Sequence, residues 1–530
     1  MRVGWSNRDA LLAAGLFVAS ATYLGVAWPN SMVGQDEGEI LYGAKRIFDG
    51  QVMYRDFFDQ IGPIAPHVLA LVYALFGASM ETARASMSIL HGTIAVLMYA
   101  IARQLGVRPM LAAVVALTHV ALFQPALSFT SPHWLATVLT LVVFSFVLRG
   151  PVRRNWQALV AGALTGLVGL TQQPKGAATA FAVAIVLVRD VWVDRIAQRT
   201  RVSMISRRLG GFVLGILAVL VPILGLFVWL AGFDAVYDAL VLTPLVAYRN
   251  FPFHSEGRWL IFTLSWPLLV ELVRGLSPGL MLNVMPLVIV LGAVRVLRQV
   301  AQRRSPVERR PLFVAVVFSA FSIASVYYQP NAFHFAVVGP IWLSLFAELL
   351  ERLVQRLEAT LRVTWAAPVV AATLVILLTL EIRRAREQAW ARAGVPVDTA
   401  FGRVHLRSQA LVDELTELRS ALQTAGAKDV LVYPTLPGLY LMTQTSNPTR
   451  FQILIPGYTT PEKFAEVQET LERERVPFVV RSFWFWQIED PLLPYLNEHY
   501  QQVRLQRPPG SLPSLTLLRR KADQNGAPTR

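Results

Sequence analysis

Apolar stretches alternate with short polar links along most of the chain. Eleven windows, 10–28, 84–103, 110–124, 133–148, 157–172, 176–192, 209–231, 279–297, 312–328, 333–350 and 364–382, are predominantly apolar. As helices, windows of roughly 15 to 20 residues match a hydrocarbon core of about 30 Å. A further apolar run, 259–276, contains Trp259, Trp266 and Pro267, which suit a membrane surface, and is expected to be interfacial or re-entrant. Counting it as a span would place the Arg-rich link 295–310 on the same side as the acidic loop between the first two spans.

Beyond Leu380 the pattern changes. Glu381–Arg392 is charged, and Leu411, Leu415, Leu418 and Leu422 recur at helical spacing. Val430–Tyr433 and Phe478–Val480 read as strands, with a helix over Pro461–Arg475 between them. The expected architecture is mostly α: a polytopic membrane protein of about eleven transmembrane helices over 1–382, with a first outer loop at 29–83. A small soluble, extracytoplasmic α/β domain follows over 383–520, and the tail 521–530 is expected to be disordered.

Composition supports the membrane assignment. Hydrophobic residues make up 54% and charged residues 16%, against about 25% charged in soluble proteins. The net charge of +15 does not point to nucleic acid, because the basic residues cluster in the links Arg149–Arg154, Arg189–Arg208 and Arg295–Arg310. That is the positive-inside pattern. It predicts a cytoplasmic N-terminus, with the loop 29–83 and the C-terminal domain outside. The chain has no cysteine, so disulfides and thiolate metal sites are excluded. The first apolar segment lacks a small-residue cleavage site and reads as a retained span.

The loop Val33–Gly77 is dense in charge, with Asp36, Glu37, Glu39, Asp49, Asp56 and Asp59 beside Lys45, Arg46 and Arg55. Asp36 and Glu37 follow the first span so closely that they should sit near the membrane surface, where an oriented carboxylate can act as general base on a hydroxyl. A solvated acidic loop is the plain alternative. Tyr42, Tyr54, Phe57, Phe58 and the turn Gly62-Pro63 argue instead for a folded loop.

The order Asp-Glu-Gly-x-x-Leu-Tyr-x-Ala-x-Arg (36–46), Gly-Gln-x-x-Tyr-Arg-Asp-Phe-Phe (50–58), Gly-Pro (62–63) and an apolar run ending Leu-Phe-Gly resembles the first outer loop of GT-C-fold glycosyltransferases. That group includes the protein O-mannosyltransferases and the lipid A aminoarabinose transferases. The resemblance implies transfer of a sugar from a polyprenyl-phosphate carrier to a lipid, glycan or protein acceptor, at the outer face of a bacterial inner (plasma) membrane. It implies Asp36 as catalytic base, with Glu37 orienting the acceptor or the base. The sequence departs from the commoner family form at Gly62-Pro63-Ile64, where Pro-Pro-Gly is frequent.

Lys175 is the second candidate. The chain has five lysines against 44 arginines, and Lys175, in Gly-Leu-Thr-Gln-Gln-Pro-Lys-Gly, is the only one between Lys45 and Lys428. A cation at an outer interface can hold a lipid phosphate and stabilise charge growing on it, although lysines also snorkel at span ends. The resembling family often carries a lysine in this turn. Arg249 is a candidate second phosphate contact. Tyr42, Arg55, His133 and His334 are candidate substrate contacts, the two histidines also reading as interface residues. Trp484 and Trp486 could stack on a sugar, meet lipid headgroups or pack in a core.

Asp36, Glu37 and Glu39 offer hard oxygens suited to Mg²⁺ or Mn²⁺. No second acidic cluster appears in the outer turns 125–132 or 172–175, so no metal is expected to be required. Neither a P-loop nor Gly-x-Gly-x-x-Gly opens a helix, in keeping with a donor that is not a nucleotide. The alternative function is a transporter or lipid flippase coupling ions through the acidic loop. Transporters place ionisable groups near the midplane in broken helices, whereas here they crowd a loop. A membrane-anchored binding protein would not need eleven spans.

Overall fold

A computed structural model describes residues 6–27, 30–31, 34–122, 129–196, 203–250, 278–326, 332–482, 489–503 and 515–521. The run 259–276, Trp484, Trp486 and the tail 522–530 lie outside these residues, as does the side chain of Arg249.

The bundle opens with α1 (Asn7–Ala27). The short helices α2 (Gly34–Phe48) and α3 (Ile64–Phe76) occupy the first loop. Then come α4 (Met80–Gln104), α5 (Pro109–Leu122), α6 (Pro132–Leu148), α7 (Asn155–Thr171), α8 (Gln173–Ile196) and α9 (Ser203–Ala231). α10 (Phe233–Tyr237) leads through a π-helical turn, Asp238–Leu242, into α11 (Thr243–Asn250). α12 (Pro278–Ala301), α13 (Pro306–Ala324), α14 (Ala332–Leu361) and α15 (Ala366–Ala393) complete the bundle. Every one of the apolar windows read from the sequence is represented by one of these helices.

Among the described residues six helices are long and apolar enough to cross a membrane: Met80–Gln104, Gln173–Ile196, Ser206–Ala231, Val284–Ala301, Phe333–Leu361 and Ala366–Ala391. The protein is mostly α and is an integral, polytopic membrane protein. In lipid, helices associate through close packing rather than the hydrophobic effect. Here α7 and α9 meet through Gly162-x-x-x-Gly166 and Gly211-x-x-x-Gly215. A Cβ on Gly162 would stand 2.0 Å from the Phe212 carbonyl oxygen, and one on Gly215 2.1 Å from that of Leu159. Trp134, Phe144 and Trp342 fill the bundle interior, with Phe144 stacked on Phe318 at 4.7 Å.

One end of the bundle is bound together by arginines from the polar links. Arg310 grips Asp190 from both oxygens (2.8 and 3.0 Å), and Arg189 reaches the same carboxylate at 2.8 Å. Asp194 lies between Arg153 (3.2 Å) and Arg208 (3.3 Å), and Glu348 between Arg295 and Arg352 (both 3.1 Å). Arg108 joins Glu351 (2.8 Å) to Glu358 (3.0 Å), and Arg103 holds Asp9 at 2.7 Å.

After α15 comes a hairpin of β1 (Val395–Thr399) and β2 (Gly402–Leu406), followed by α16 (Gln409–Thr424), which carries the leucine stripe. β3 (Val430–Tyr433), α17 (Gly438–Thr443), α18 (Pro461–Arg473), β4 (Phe478–Ser482), α19 (Leu493–His499), β5 (Tyr500–Gln502) and β6 (Leu515–Arg520) follow. The sheet order is β3-β4-β6-β5, with β3 parallel to β4 and the other neighbours antiparallel. α18 stops short of the expected Arg475 because that residue adopts a left-handed φ of 48°.

The core of this domain is not closed on itself. Ile40, Leu41 and Tyr42 of α2 and Leu69 and Tyr73 of α3 pack with Leu415, Leu418, Val430, Tyr440 and Leu517 as one buried cluster. The first loop and the C-terminal domain thus share a core.

Candidate active site

Asp36 and Glu37 open α2, where the helix dipole favours acids. Their fates differ. Glu37 is fully buried and accepts from both terminal guanidinium nitrogens of Arg84, at 2.9 Å each, and from the Thr130 amide at 2.7 Å. It ties α2 to α4 and to the segment leading into α6. Asp36 remains accessible to water, although desolvation by the protein packed around it pushes its carboxyl above the ordinary range.

Glu39 follows one helical turn later on the same side. Its carboxyl is pushed well up, first by burial and then by the charges of Asp59 and Asp36, so the three acids lie within electrostatic reach of one another. Asp59 is fully buried. Its Oδ1 accepts from the Ile61 amide at 3.0 Å, its Oδ2 has no partner among the described residues, and burial pushes it up to about 7. Among the described residues none of these three acids is paired with a cation.

Lys175 sits in the first turn of α8 with only 4% of its surface exposed. Its ammonium donates to the His133 carbonyl at 3.0 Å and to Thr137 Oγ1 at 2.9 Å, and no acid within the described residues pairs with it. The rings of His133 and His334 stand perpendicular at 5.0 Å. Gln172 Nε2 is 3.4 Å from His133 Nε2. Lys175, Thr137, Thr140, Thr179, Ser322 and Ser325 line a small cavity with room for about one water molecule.

The acidic and basic halves are joined directly. Gln173 Nε2 donates to the Gln60 carbonyl at 3.0 Å, linking the residue after Asp59 to the turn that carries Lys175. At Gly62 the loop presses on the end of α7 so closely that a Cβ would stand 1.9 Å from the Leu170 carbonyl oxygen. This contact explains the glycine at the position where the sequence departs from the commoner turn. On the other side, the Glu37 bond to Thr130 holds the chain three residues before His133.

No family model matches the sequence, and no curated protein matches it. The fold does match solved structures. The crystal structure of ArnT from Cupriavidus metallidurans bound to undecaprenyl phosphate aligns with 97% of this chain and 99% of its own, at 15% identity and a TM-score of 0.60. The apo structure of the same protein aligns with 96% of this chain and 98% of its own, at 14% identity and a TM-score of 0.52. The chain has the GT-C fold.

Within this GT-C scaffold the other residues singled out from the sequence are dispersed. Tyr42 is buried, stacks on Tyr440 at 4.6 Å and accepts from the Asn447 amide at 2.9 Å, so it faces the C-terminal domain. Arg55 is exposed and pairs with its neighbour Asp56 at 2.9 Å. Arg249 falls in α11, with its side chain outside the described residues. Of the oxygens considered for a divalent ion, both of Glu37 are occupied by Arg84 and Thr130. Among the described residues no group of three His, Asp or Glu side chains is arranged to hold a metal.

Four residues that the sequence did not single out for the site are Asp59, Gln60, Thr137 and Gln173. Asp59 was visible only as one of several acids in the loop. Gln172 and Gln173 did carry a signal, because two amides between apolar helices need partners.

Proposed function

We propose that the protein is a membrane glycosyltransferase that moves a sugar from a polyprenyl-phosphate carrier to an acceptor hydroxyl or amine at the outer face of a bacterial inner membrane. In this reading all eleven apolar helices cross the membrane, the N-terminus is cytoplasmic and the C-terminal domain lies outside. The observation that carries the reading is the separation of charge in the site. Among the described residues, a buried lysine without an acid and a cluster of acids without a cation lie on chain segments joined by the Gln173–Gln60 hydrogen bond. The likeness in fold to a transferase solved with undecaprenyl phosphate supports the same donor chemistry.

The carrier phosphate would sit against Lys175, with His133 and His334 beside it and Arg249 as a second cation. Lysine acts there as a compact point charge. Asp36, which water reaches, takes the proton of the acceptor as its oxygen or nitrogen attacks the anomeric carbon. The bond from that carbon to the phosphate oxygen breaks, its electron pair leaves with the phosphate, and Lys175 stabilises the charge that develops. A single displacement of this kind inverts the anomeric centre. Glu37 holds α2 in place, and no step requires a metal.

Mass spectrometry of lipid-linked sugars and glycan products from membranes with and without the protein tests the reading. Loss of sugar from the polyprenyl carrier, dependent on Asp36, is expected. Full transfer by Asp36→Asn would overturn it, and substrate movement across proteoliposomes without any glycosyl product would favour a transporter.

A further inference from the structure

The segment 447–463 of the C-terminal domain touches the first loop along its length. The Thr449 carbonyl accepts from Arg46 at 3.5 Å, and the Phe58 amide donates to the Arg450 carbonyl at 2.7 Å. Phe58 packs on Phe451 at 5.7 Å and lies beneath the Lys463 ammonium at 3.9 Å. Lys463 in turn pairs with Asp238 in the π-helical turn at 3.0 Å. These contacts use backbone groups, rings and charges, and they hold the domain on the loop.

Tyr458 differs. Its hydroxyl donates to Gln60 Oε1 at 2.6 Å, and the carbonyl of the same Gln60 accepts from Gln173 at 3.0 Å. Gln60 follows Asp59 in the chain, and Gln173 precedes Lys175 by two residues. One hydrogen-bonded path therefore runs from the C-terminal domain to both charged halves of the site.

We propose that Tyr458 is a positioning residue which, through Gln60, fixes the spacing between the acids around Asp36 and the turn bearing Lys175. The inference rests on the glycosyl-transfer reading above. The role assigned to Tyr458 is contact with Gln60 rather than with substrate; it acts on rate because transfer depends on close placement of base and phosphate partner. A misplacement of such groups by about 1 Å costs up to about a hundredfold in rate, so loss of this one tether is expected to slow transfer about tenfold.

The test uses the purified full-length protein, with a lipid extract of host membranes as source of polyprenyl-phosphate sugars and acceptors, and undecaprenyl phosphate alone as binding probe. Tyr458→Phe is expected to slow sugar loss from the carrier about tenfold while binding undecaprenyl phosphate within about twofold of wild type. Gln60→Ala, which removes the acceptor rather than the donor, is expected to do the same and serves if Tyr458→Phe fails to fold. Gln173→Ala is expected to slow the reaction by a similar factor. The double variant Tyr458→Phe/Gln173→Ala should be no slower than either single one, because both break one path. Wild-type rates in Tyr458→Phe and Gln60→Ala, or multiplying losses in the double variant, overturn the inference. A rate loss matched by an equal loss of undecaprenyl phosphate binding also overturns it. A wild-type protein that binds undecaprenyl phosphate yet transfers nothing overturns the glycosyl-transfer reading and, with it, this inference.

Discussion

The two ends of the helix bundle treat acidic residues in opposite ways. At the Arg-rich end Asp9, Asp190, Asp194, Glu348 and Glu351 each meet at least one arginine within 3.3 Å. At the other end Glu37 is paired with Arg84, but Asp36, Glu39 and Asp59 have no cation among the described residues, and Lys175 has no acid. Desolvated charges are tolerated when compensated and costly when not. The first set therefore fastens helices, whereas the second keeps opposite charges apart on adjoining segments, an arrangement suited to a ligand that is anionic at one end and gives up a proton at the other.

Substitutions at the two ends should break this comparison in different observables. Asp36→Asn removes the base and is expected to cut transfer about a thousandfold, within the range for general-base catalysis, while undecaprenyl phosphate binding is kept. At the opposite end Arg310→Met leaves the Asp190 carboxylate, among the described residues, with Arg189 alone. Thermal or denaturant unfolding in detergent should register a loss of about 2 kcal/mol, with the rate per folded molecule little changed. Lys175→Met is expected to slow transfer about a hundredfold and to weaken undecaprenyl phosphate binding, which titration of the lipid phosphate would measure.

The smallest effect is in pH dependence. Asp59 is raised from 3.8 to about 7 in the folded protein. Between those values the folded state holds a proton that the unfolded chain has released, so stability falls as pH rises across the window and levels off above it. Asp59→Asn should flatten this slope, as followed by unfolding midpoints from pH 5 to pH 8. Since Asp36 is raised too, the rate should climb with pH to a midpoint above the usual carboxylate range.

Much of the fold was legible because apolar windows and a leucine stripe are local signals. The helices appear where those windows lie, and α16, β3, α18 and β4 where periodicity indicated them. β5 and β6 were not legible. They are short edge and partner strands whose only support is pairing with a strand elsewhere in the domain. The candidate site was legible by residue type: Asp36 and Lys175 stand out by place and rarity. Which acid is spent on structure was not, because Glu37 finds Arg84 some four dozen residues away. Nothing local separates it from Asp36, its neighbour. Tyr42 had the look of a site residue, yet its partners lie roughly 400 residues on. Asp59 stayed hidden for the same reason, since its burial without a cation among the described residues is a property of the folded surroundings.

The core shared by the first loop and the C-terminal domain has a consequence for biosynthesis. Tyr42 finds apolar cover on Tyr440 of α17, and Gly38 lies against the backbone of Gly438 in the same helix, roughly 400 residues along the chain from α2. A nascent chain can insert its helices early, but the apolar face of α2 waits for translation to reach α17. Contacts of such long sequence separation form late. A chain released before that helix would lack the cover that seats α2 and the acids it carries.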